Sequence, residues 1–383
     1  MSAAPRRRIT TKFLRGIQKY SIRGERQRGL RLAVLHSGTM QITENPVAGY
    51  ERVVVAEAPE SGYHAIIAIH STVRGPAGGG TRFWNYRTQE EALEDALRLA
   101  RGMTYKNGLA ELPLGGGKAV IIGDNTTKDR ERIFRAHGRF INSLLGRFIT
   151  GEDVGTSPAD MEYVRQETVY VAGLHGRSGD PSPRTARGVF RAMQAAAKHR
   201  WGSDSLAGKT VSLQGCGHVG YFLAEELNRA GAKLIVSDVD KEKVDRVISA
   251  FGASSAASEK IFSVEADIFA PCALGGILNR QTIPQLKVEI VCGAANNQLF
   301  ESSDGDLLEE RGVLYAPDYA ANAGGIIGGC CLELMSWDLQ TTLKRIDAIY
   351  DTILRVFELA RRDSIPAYAA ADRLAEQLSS NPV

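Results

Sequence analysis

A chain of 383 residues, 43% of them hydrophobic, is long enough to bury two cores. It has no run near the roughly 18 apolar residues that a membrane helix needs and no apolar signal-peptide core at its N-terminus, which sets aside membrane and secreted classes. The net charge of +3 is uneven: ten of the 47 Lys/Arg but only one of the 44 Asp/Glu lie in residues 1–31, which leaves the remainder at −6.

Residues 1–39 read as a basic, poorly ordered extension, with Met40 as an alternative start. With only two aromatics, Phe13 and Tyr20, among its basic residues and no clear amphipathic stripe, this head does not read as a nucleic-acid or membrane-binding arm. Beyond Met40, residues 52–56 and 65–69 read as strands, with Pro59 and Gly62 placed as in a hairpin. Thr88-Gln89-Glu90-Glu91 is a capping box opening a helix with Leu93, Ala96, Leu97, Ala100 and Met103 on one face, and Lys106 just past its end. Residues 119–122 and 147–150 read as buried strands. Lys118 then stands at a strand start and Asp153 just beyond a strand's carboxyl end, where open α/β sheets bind ligands. Gly115, Gly116 and Gly117 have no side chain to fill a core and predict close approach of backbone and ligand beside Lys118. Ser157 and Pro158 supply a cap and a first helical residue.

Lysine ordinarily titrates near 10.4, too high for a base, but burial beside a second cation lowers it to roughly 7–8. Lys118 is therefore the candidate base and Lys106 the second cation.

The stretch Gly176 to Pro183 reads as an interdomain crossing. A helix from about Thr185 to His199 and a strand at 210–213 follow, running into Gly215-Cys216-Gly217-His218-Val219-Gly220. GxGxxG alone is a weak signal. Here a strand precedes it, a helix runs after it to Arg229, and a second strand from Lys233 ends at the acid Asp238. In that context Gly215 permits a tight turn, Gly217 admits a pyrophosphate, Gly220 lets helix and strand pack closely, and the helix N-terminus faces the phosphates. Asp238 accepts hydrogen bonds from a ribose and repels a 2′-phosphate, with no arginine directly after it, so NAD is favoured over NADP. His218 faces the cofactor region by position only. The five cysteines are odd in number and follow no metal spacing, and no histidines have ligand spacing; a reducing cytoplasm and no metal are expected.

The segments Gly75 to Arg82, Met103 to Asn107, Leu114 to Val120, Glu152 to Thr156, Gly179 to Pro183, the glycine turn, Ala270 to Gly275, Ala295 to Leu299, Tyr315 to Asp318 and Asn322 to Gly325 together resemble the glutamate/leucine/phenylalanine/valine dehydrogenase family. They are more similar to its leucine and phenylalanine branch, and the run Asp267 to Asn279 is also similar to tryptophan dehydrogenases. The resemblance implies an α/β fold of two domains: an N-terminal substrate domain over 40–175, rejoined by a helix at about 366–383, and a Rossmann domain over 176–365, with a deep cleft between them. It further implies NAD-dependent, reversible oxidative deamination of an L-amino acid to a 2-oxo acid and ammonia, in a homo-oligomer.

By that match Lys106 pairs with the substrate α-carboxylate beside Gly79 and Gly80, Lys118 is the general base for water, and Asp153 exchanges protons with the amino group. Asn297 and Asn322 orient the amine or the nicotinamide, and Thr185, Ala270 and Pro271 contact the cofactor; the two asparagines and Thr185 equally fit cap or turn roles. Gly78, Gly151, Ile326 and Gly329 line the side-chain pocket. Leucine dehydrogenases commonly carry leucine, alanine and valine at the three glycine positions, so the pocket is expected to be enlarged for an aromatic substrate, phenylalanine or tryptophan. A branched-chain substrate is the alternative, and a non-catalytic NAD-binding regulatory module is the alternative of another class.

Overall fold

The computed structural model describes residues 40–382; the basic head lies outside the described residues, with everything read from it. The chain opens with β1 (Gln41–Glu44), β2 (Arg52–Ala58) and β3 (Tyr63–Ser71), an antiparallel meander in which Gly62, left-handed at φ 61°, closes a short turn over Pro59–Ser61. It continues through β4 (Ala77–Gly78), β5 (Thr81–Trp84), α1 (Gln89–Leu109), β6 (Gly115–Ile122), α2 (Arg130–Ser143), β7 (Phe148–Ile149) and α3 (Pro158–Arg165). These strands make one sheet in the order β1-β2-β3-β6-β4-β7, with β5 also paired to β6. Strand β6 runs antiparallel to β3 and parallel to β4 and β5. Alanines of α1 cover one face of the sheet, and Phe134, Phe140, Met161 and Val164 of α2 and α3 cover the other.

Five local expectations change. The buried stripe of α1 is Ala92, Ala96, Ala100 and Thr104, with Leu93 and Leu97 at its margins, because small residues let the helix lie close to the sheet. Thr88 caps the helix by accepting from Glu91 N at 3.2 Å, but the Glu91 carboxylate takes the Arg87 amide at 3.0 Å, so the reciprocal half of the box is missing. The helix continues to Leu109, which puts Lys106 in its last turn rather than past it. Strand β6 starts at Gly115, and Lys118 is therefore within the strand, not at its start. The three glycines serve packing: a Cβ would lie 1.9 Å from Ser71 O at Gly115, 2.1 Å from Thr104 N at Gly116 and 2.9 Å from the Phe148 ring at Gly117. They admit Ser71, Thr104 and the Phe148 ring of neighbouring segments at these positions. The Ser157 cap does form a reciprocal box with Asp160.

The second half contains α4 (Ser182–Trp201), β8 (Thr210–Gln214), α5 (His218–Arg229), β9 (Lys233–Ser237), α6 (Lys241–Phe251), β10 (Ser254–Ser255), β11 (Ile268–Pro271), β12 (Ile290–Val291), α7 (Asp304–Glu310) and β13 (Leu314–Tyr315). The strand order is β10-β9-β8-β11-β12-β13, with every neighbouring pair parallel. This is the doubly wound order of a dinucleotide-binding fold, whose ligand crevice opens beyond the carboxyl ends of β8 and β11, where the order reverses.

The chain then forms α8 (Asp318–Ala321), α9 (Gly324–Gly329), a π-helical turn (Cys330–Leu334), α10 (Leu339–Asp347), α11 (Ile349–Asp363) and α12 (Ala367–Ser379). Helix α12 returns to α1: Tyr105 Oη donates to Glu376 Oε1 at 2.6 Å and Ser379 Oγ to Thr104 O at 3.2 Å. A single apolar cluster joins Leu109, Leu112 and Ile149 to Val189, Leu213, Val356 and Leu374, so the two halves share a continuous buried region. Among the described residues no helix is long and apolar enough to cross a membrane.

Candidate active site

Strand pairing assembles the first half of the site. Lys118 on β6 is 5% exposed, and its Nζ donates to Asp153 Oδ2. Asp153 lies beyond β7 in a turn held by Thr156: Asp153 N donates to Thr156 Oγ1 at 2.8 Å, and Thr156 N to Asp153 O at 3.0 Å. Gly79 and Gly80 allow the β4–β5 connection to lie against this pair. A Cβ on Gly79 would fall 1.8 Å from Gly117 O, and one on Gly80 would fall 2.7 Å from Glu152 O and 3.0 Å from Asp153 Cβ. Arg82, the next charged residue along, has Nε 3.4 Å from Asp153 Oδ2.

Burial pushes the Lys118 amine below the ordinary lysine range; Asp153 opposes the shift and Arg82 adds to it. Burial alone would raise the Asp153 carboxyl, but Lys118 and Arg82 outweigh it and hold the group below the usual carboxylate range. Lys106 loses hydration and is pushed down to about 8; Asp318 opposes this, Lys118 contributes to it, and Asp153 opposes it. A lysine whose ammonium is disfavoured by burial, in contact with an ionised carboxylate, makes a pair of groups that can take up and pass on protons.

The second half brings Asp318 towards Lys106. Asp318, at the start of α8, is 8% exposed; Oδ1 accepts Tyr315 Oη at 3.0 Å and Oδ2 accepts Asn297 N at 2.5 Å. Burial pushes its carboxyl up, while Tyr315 and Lys106 oppose the shift. Asn297 is exposed and left-handed at φ 53°. Asn322 is buried; its Nδ2 donates to Ala294 O at 3.0 Å and Asn296 Oδ1 at 2.8 Å, and its Oδ1 has no partner. Thr185 donates to Pro181 O at 3.1 Å and lies under α9, where a Cβ on Gly325 would come within 2.7 Å of Oγ1.

The glycine turn lies at the reversal point between β8 and β11. A Cβ on Gly215 would meet Ala273 N at 2.8 Å, just past Ala270 and Pro271 of β11, and a Cβ on Gly220 would meet Gly215 O at 1.9 Å. At Gly217 a Cβ would meet nothing within 4 Å, and α5 starts there without a side-chain cap. Open space over uncapped amides fits a pyrophosphate, and the unpartnered Asn322 Oδ1 fits a polar ligand group nearby in the second half. Asp238 joins this turn: Oδ2 accepts Cys216 N at 2.7 Å and Oδ1 accepts Asp240 N at 2.9 Å. Cys216 is buried and Val219 half-buried, whereas His218 is exposed, its Nδ1 3.9 Å from Asp180 Oδ2. Arg246 of α6 also reaches the turn, donating to Cys216 O at 3.2 Å with its guanidinium over the Tyr221 ring. The sequence rule about an arginine directly after Asp238 does not find it.

The expected enlargement of the side-chain pocket is uneven. A Cβ on Gly329 would meet nothing within 4 Å, and one on Gly151 would meet only Ala172 backbone, at 3.6 Å at the nearest. At Gly78 the room is largely taken, because Leu114 Cδ1 would be 3.0 Å from a Cβ there. Gly78 and Gly151 belong to neighbouring segments, with Gly79 N donating to Ile149 O at 3.1 Å and Thr81 N to Gly151 O at 2.8 Å. Ile326 and Gly329 lie on α9, and the turn that follows it is tied back by Glu333, which accepts Gly173 N at 2.9 Å and Ser178 Oγ.

Asp318, Arg82 and Glu333 were not singled out in the sequence. Two of them stand inside motifs quoted above, Tyr315 to Asp318 and Gly75 to Arg82, but nothing local identifies the charge each one meets. Among the described residues no group of three or more His, Cys, Asp or Glu is arranged to hold a metal ion.

A doubly wound nucleotide fold packed against a lysine–carboxylate pair is the arrangement of a nucleotide-dependent enzyme, and the relatives make it an oxidoreductase that acts on amino-acid donors. The profile described as "Glu/Leu/Phe/Val dehydrogenase, dimerisation domain" matches residues 50–170, and "Glutamate/Leucine/Phenylalanine/Valine dehydrogenase" matches residues 176–241 and 235–374. The chain belongs to the glutamate/leucine/phenylalanine/valine dehydrogenase family, a family of NAD(P)-dependent enzymes, within its leucine, phenylalanine and tryptophan branch. It is 57% identical to leucine dehydrogenase of Geobacillus stearothermophilus over 331 residues, 86% of this chain and 90% of that one. It is 46% identical to phenylalanine dehydrogenase of Lysinibacillus sphaericus over 335 residues, 85% of this chain and 88% of that one. The crystal structure of L-tryptophan dehydrogenase from Nostoc punctiforme superposes with a TM-score of 0.79 at 46% identity, covering 86% of this chain and 96% of that one.

Proposed function

We propose that the protein catalyses reversible NAD-dependent oxidative deamination of an L-amino acid with an aromatic side chain, giving a 2-oxo acid and ammonia. The observation that carries the reading is the pair formed by buried Lys118 and half-buried Asp153, with Lys106 beside it. Lys106 pairs with the α-carboxylate and fixes the substrate at the cleft. Asp153 takes a proton from the substrate ammonium and later returns one to the departing amine. NAD, when bound along the glycine turn, supplies the hydride acceptor. Lys118 in its neutral form takes the proton of the water that attacks the resulting imine carbon, and burial of Lys118 limits its access to bulk water.

Asp238 at the glycine turn supports NAD over NADP, since its charge repels a 2′-phosphate. Arg246 lies close by but is engaged with Cys216 O and Tyr221. The open space at Gly151 and Gly329 supports an aromatic side chain. Leu114 at Gly78, and the 57% identity to a leucine dehydrogenase, favour a second reading, a branched-chain substrate. Residues 40–175 with α12 serve as the substrate domain, and 176–365 as the cofactor domain. The matched dimerisation domain supports a homo-oligomer, and the five free thiols support a reducing cytoplasm.

NADH formation by the purified protein with tryptophan, phenylalanine, leucine, valine and glutamate in parallel tests this. Highest kcat/KM with an aromatic substrate is expected. A preference for leucine or valine would keep the chemistry and remove the aromatic assignment, and inactivity with all five alongside NAD binding would leave a binding module.

A further inference from the structure

Arg82 has no part in the chemistry above, yet its guanidinium lies between two carboxylates. Its Nε is 3.4 Å from Asp153 Oδ2 and is buried without an aligned hydrogen bond, while Nη1 donates to Asp95 Oδ2 at 2.8 Å. Asp95, on α1, also accepts Tyr86 Oη at 2.6 Å and Arg98 Nη2 at 2.7 Å. This outer end lines a cavity of about 430 Å³ formed with Trp84 and Val154. One ionic array thus runs from the interior pair to a cavity in the face of the substrate domain.

A neutral Lys118 beside an ionised Asp153 is electrostatically awkward, because the carboxylate favours the ammonium form. The charges facing Lys118 are Asp153 from the loop after β7, Arg82 from β5, and Lys106 and Asp95 from α1; Asp318 of α8 acts one step further away, on Lys106. The acids favour the ammonium, and Arg82 and Lys106 favour the free amine. Among the charged side chains of the described residues, Arg82 is the one that meets the same carboxylate oxygen as Lys118.

We propose that Arg82 is a positioning residue that keeps Asp153 ionised and in place while Lys118 is neutral, so that Lys118 is the group that cycles through proton loss and gain. The inference rests on the reading of Lys118 as the base. When Lys118 gives up its proton, Arg82 remains as the cation on Asp153 Oδ2, and the unspent Nε–H is the donor available to replace the one withdrawn.

The test is the acid limb of kcat/KM against pH, measured for Arg82→Gln, Arg82→Lys and Asp95→Asn with NAD binding measured alongside. Loss of the cation in Arg82→Gln is expected to move the limb up by about one pH unit, roughly tenfold less activity at a fixed pH on the limb, with NAD binding unchanged. Arg82→Lys should restore much of the original limb. Asp95→Asn removes a competing acid and should move the limb down. An unmoved limb in Arg82→Gln overturns the proposal, and so does any result other than a downward shift in Asp95→Asn, which decides the matter if Arg82→Gln does not fold. Activity retained in Lys118→Ala would instead overturn the base assignment; an inactive Lys118→Ala with an unmoved Arg82→Gln limb removes only the role of Arg82.

Discussion

Lys118 Nζ donates to Asp153 Oδ2, and that one contact joins a mid-strand lysine of β6 to a carboxylate in the loop after β7. Each partner holds the other's geometry, and burial biases the lysine towards its neutral form.

Lys118→Ala should lower kcat by about 10²–10⁴-fold, the usual worth of a positioned base. NAD affinity, measured by fluorescence titration, should stay within about twofold, because the glycine turn lies on the other sheet. A variant that turns over at near-normal rate would remove Lys118 from the chemistry.

Lys106 is pushed down to about 8, so its charge is present below that pH and fades above it. A substrate-like carboxylate without an amine, such as 3-phenylpropanoate, should therefore bind progressively more weakly above about pH 8, approaching tenfold per pH unit. Lys106→Arg keeps its charge throughout and should flatten the profile. Inhibition constants across pH 6–10 report this, and a flat profile in the unmodified enzyme would argue against the carboxylate contact.

The open glycines predict a change of selectivity. Gly329→Val together with Gly151→Ala fills space without a close backbone contact. The ratio of kcat/KM for phenylalanine to that for leucine should fall by at least about tenfold, the scale set by one or two methylenes in a pocket. An unchanged ratio would mean that these positions do not face the substrate side chain.

Asp238→Asn removes the charge at the turn and leaves one acceptor oxygen where two now serve Cys216 N and Asp240 N. The NAD to NADP ratio of kcat/KM should drop by roughly tenfold to a hundredfold, the worth of a hydrogen bond to a charged group. A constant ratio would place the ribose elsewhere.

Gly116→Ala tests the packing role of the triple glycine. The new Cβ would lie 2.1 Å from both Thr104 N and Thr104 Oγ1, and backbone cannot move aside as a flexible side chain does. A loss of about 3 kcal/mol, roughly 4 °C in Tm by calorimetry for a chain of this size, is expected. An unshifted Tm would mean that α1 and β6 separate easily.

The dinucleotide half was legible because its signals are local. Strand β8, the turn from Gly215 to Gly220, helix α5, strand β9 and Asp238 follow one another within a single unit, so spacing alone carries their roles. The boundaries of α1 and β6 were less legible. Glycine opposes strand formation by intrinsic preference, and only the fit of Gly115, Gly116 and Gly117 against Ser71, Thr104 and Phe148 outweighs it.

By itself the sequence determined the family and the strand–turn–helix setting of Gly215 to Gly220, and it made Lys106, Lys118 and Asp153 candidates as a set, since each stands in a contiguous motif. Only the tertiary structure decided which charges meet. Arg82 reaches Asp153 because β5 and β7 lie on strands paired to the same sheet, Asp318 comes to face Lys106 because α8 of the second half approaches the end of α1, and Leu114 takes the room beside Gly78. These are contacts between residues far apart in the chain, and periodicity, which records neighbours along one helix or strand, carries no trace of them.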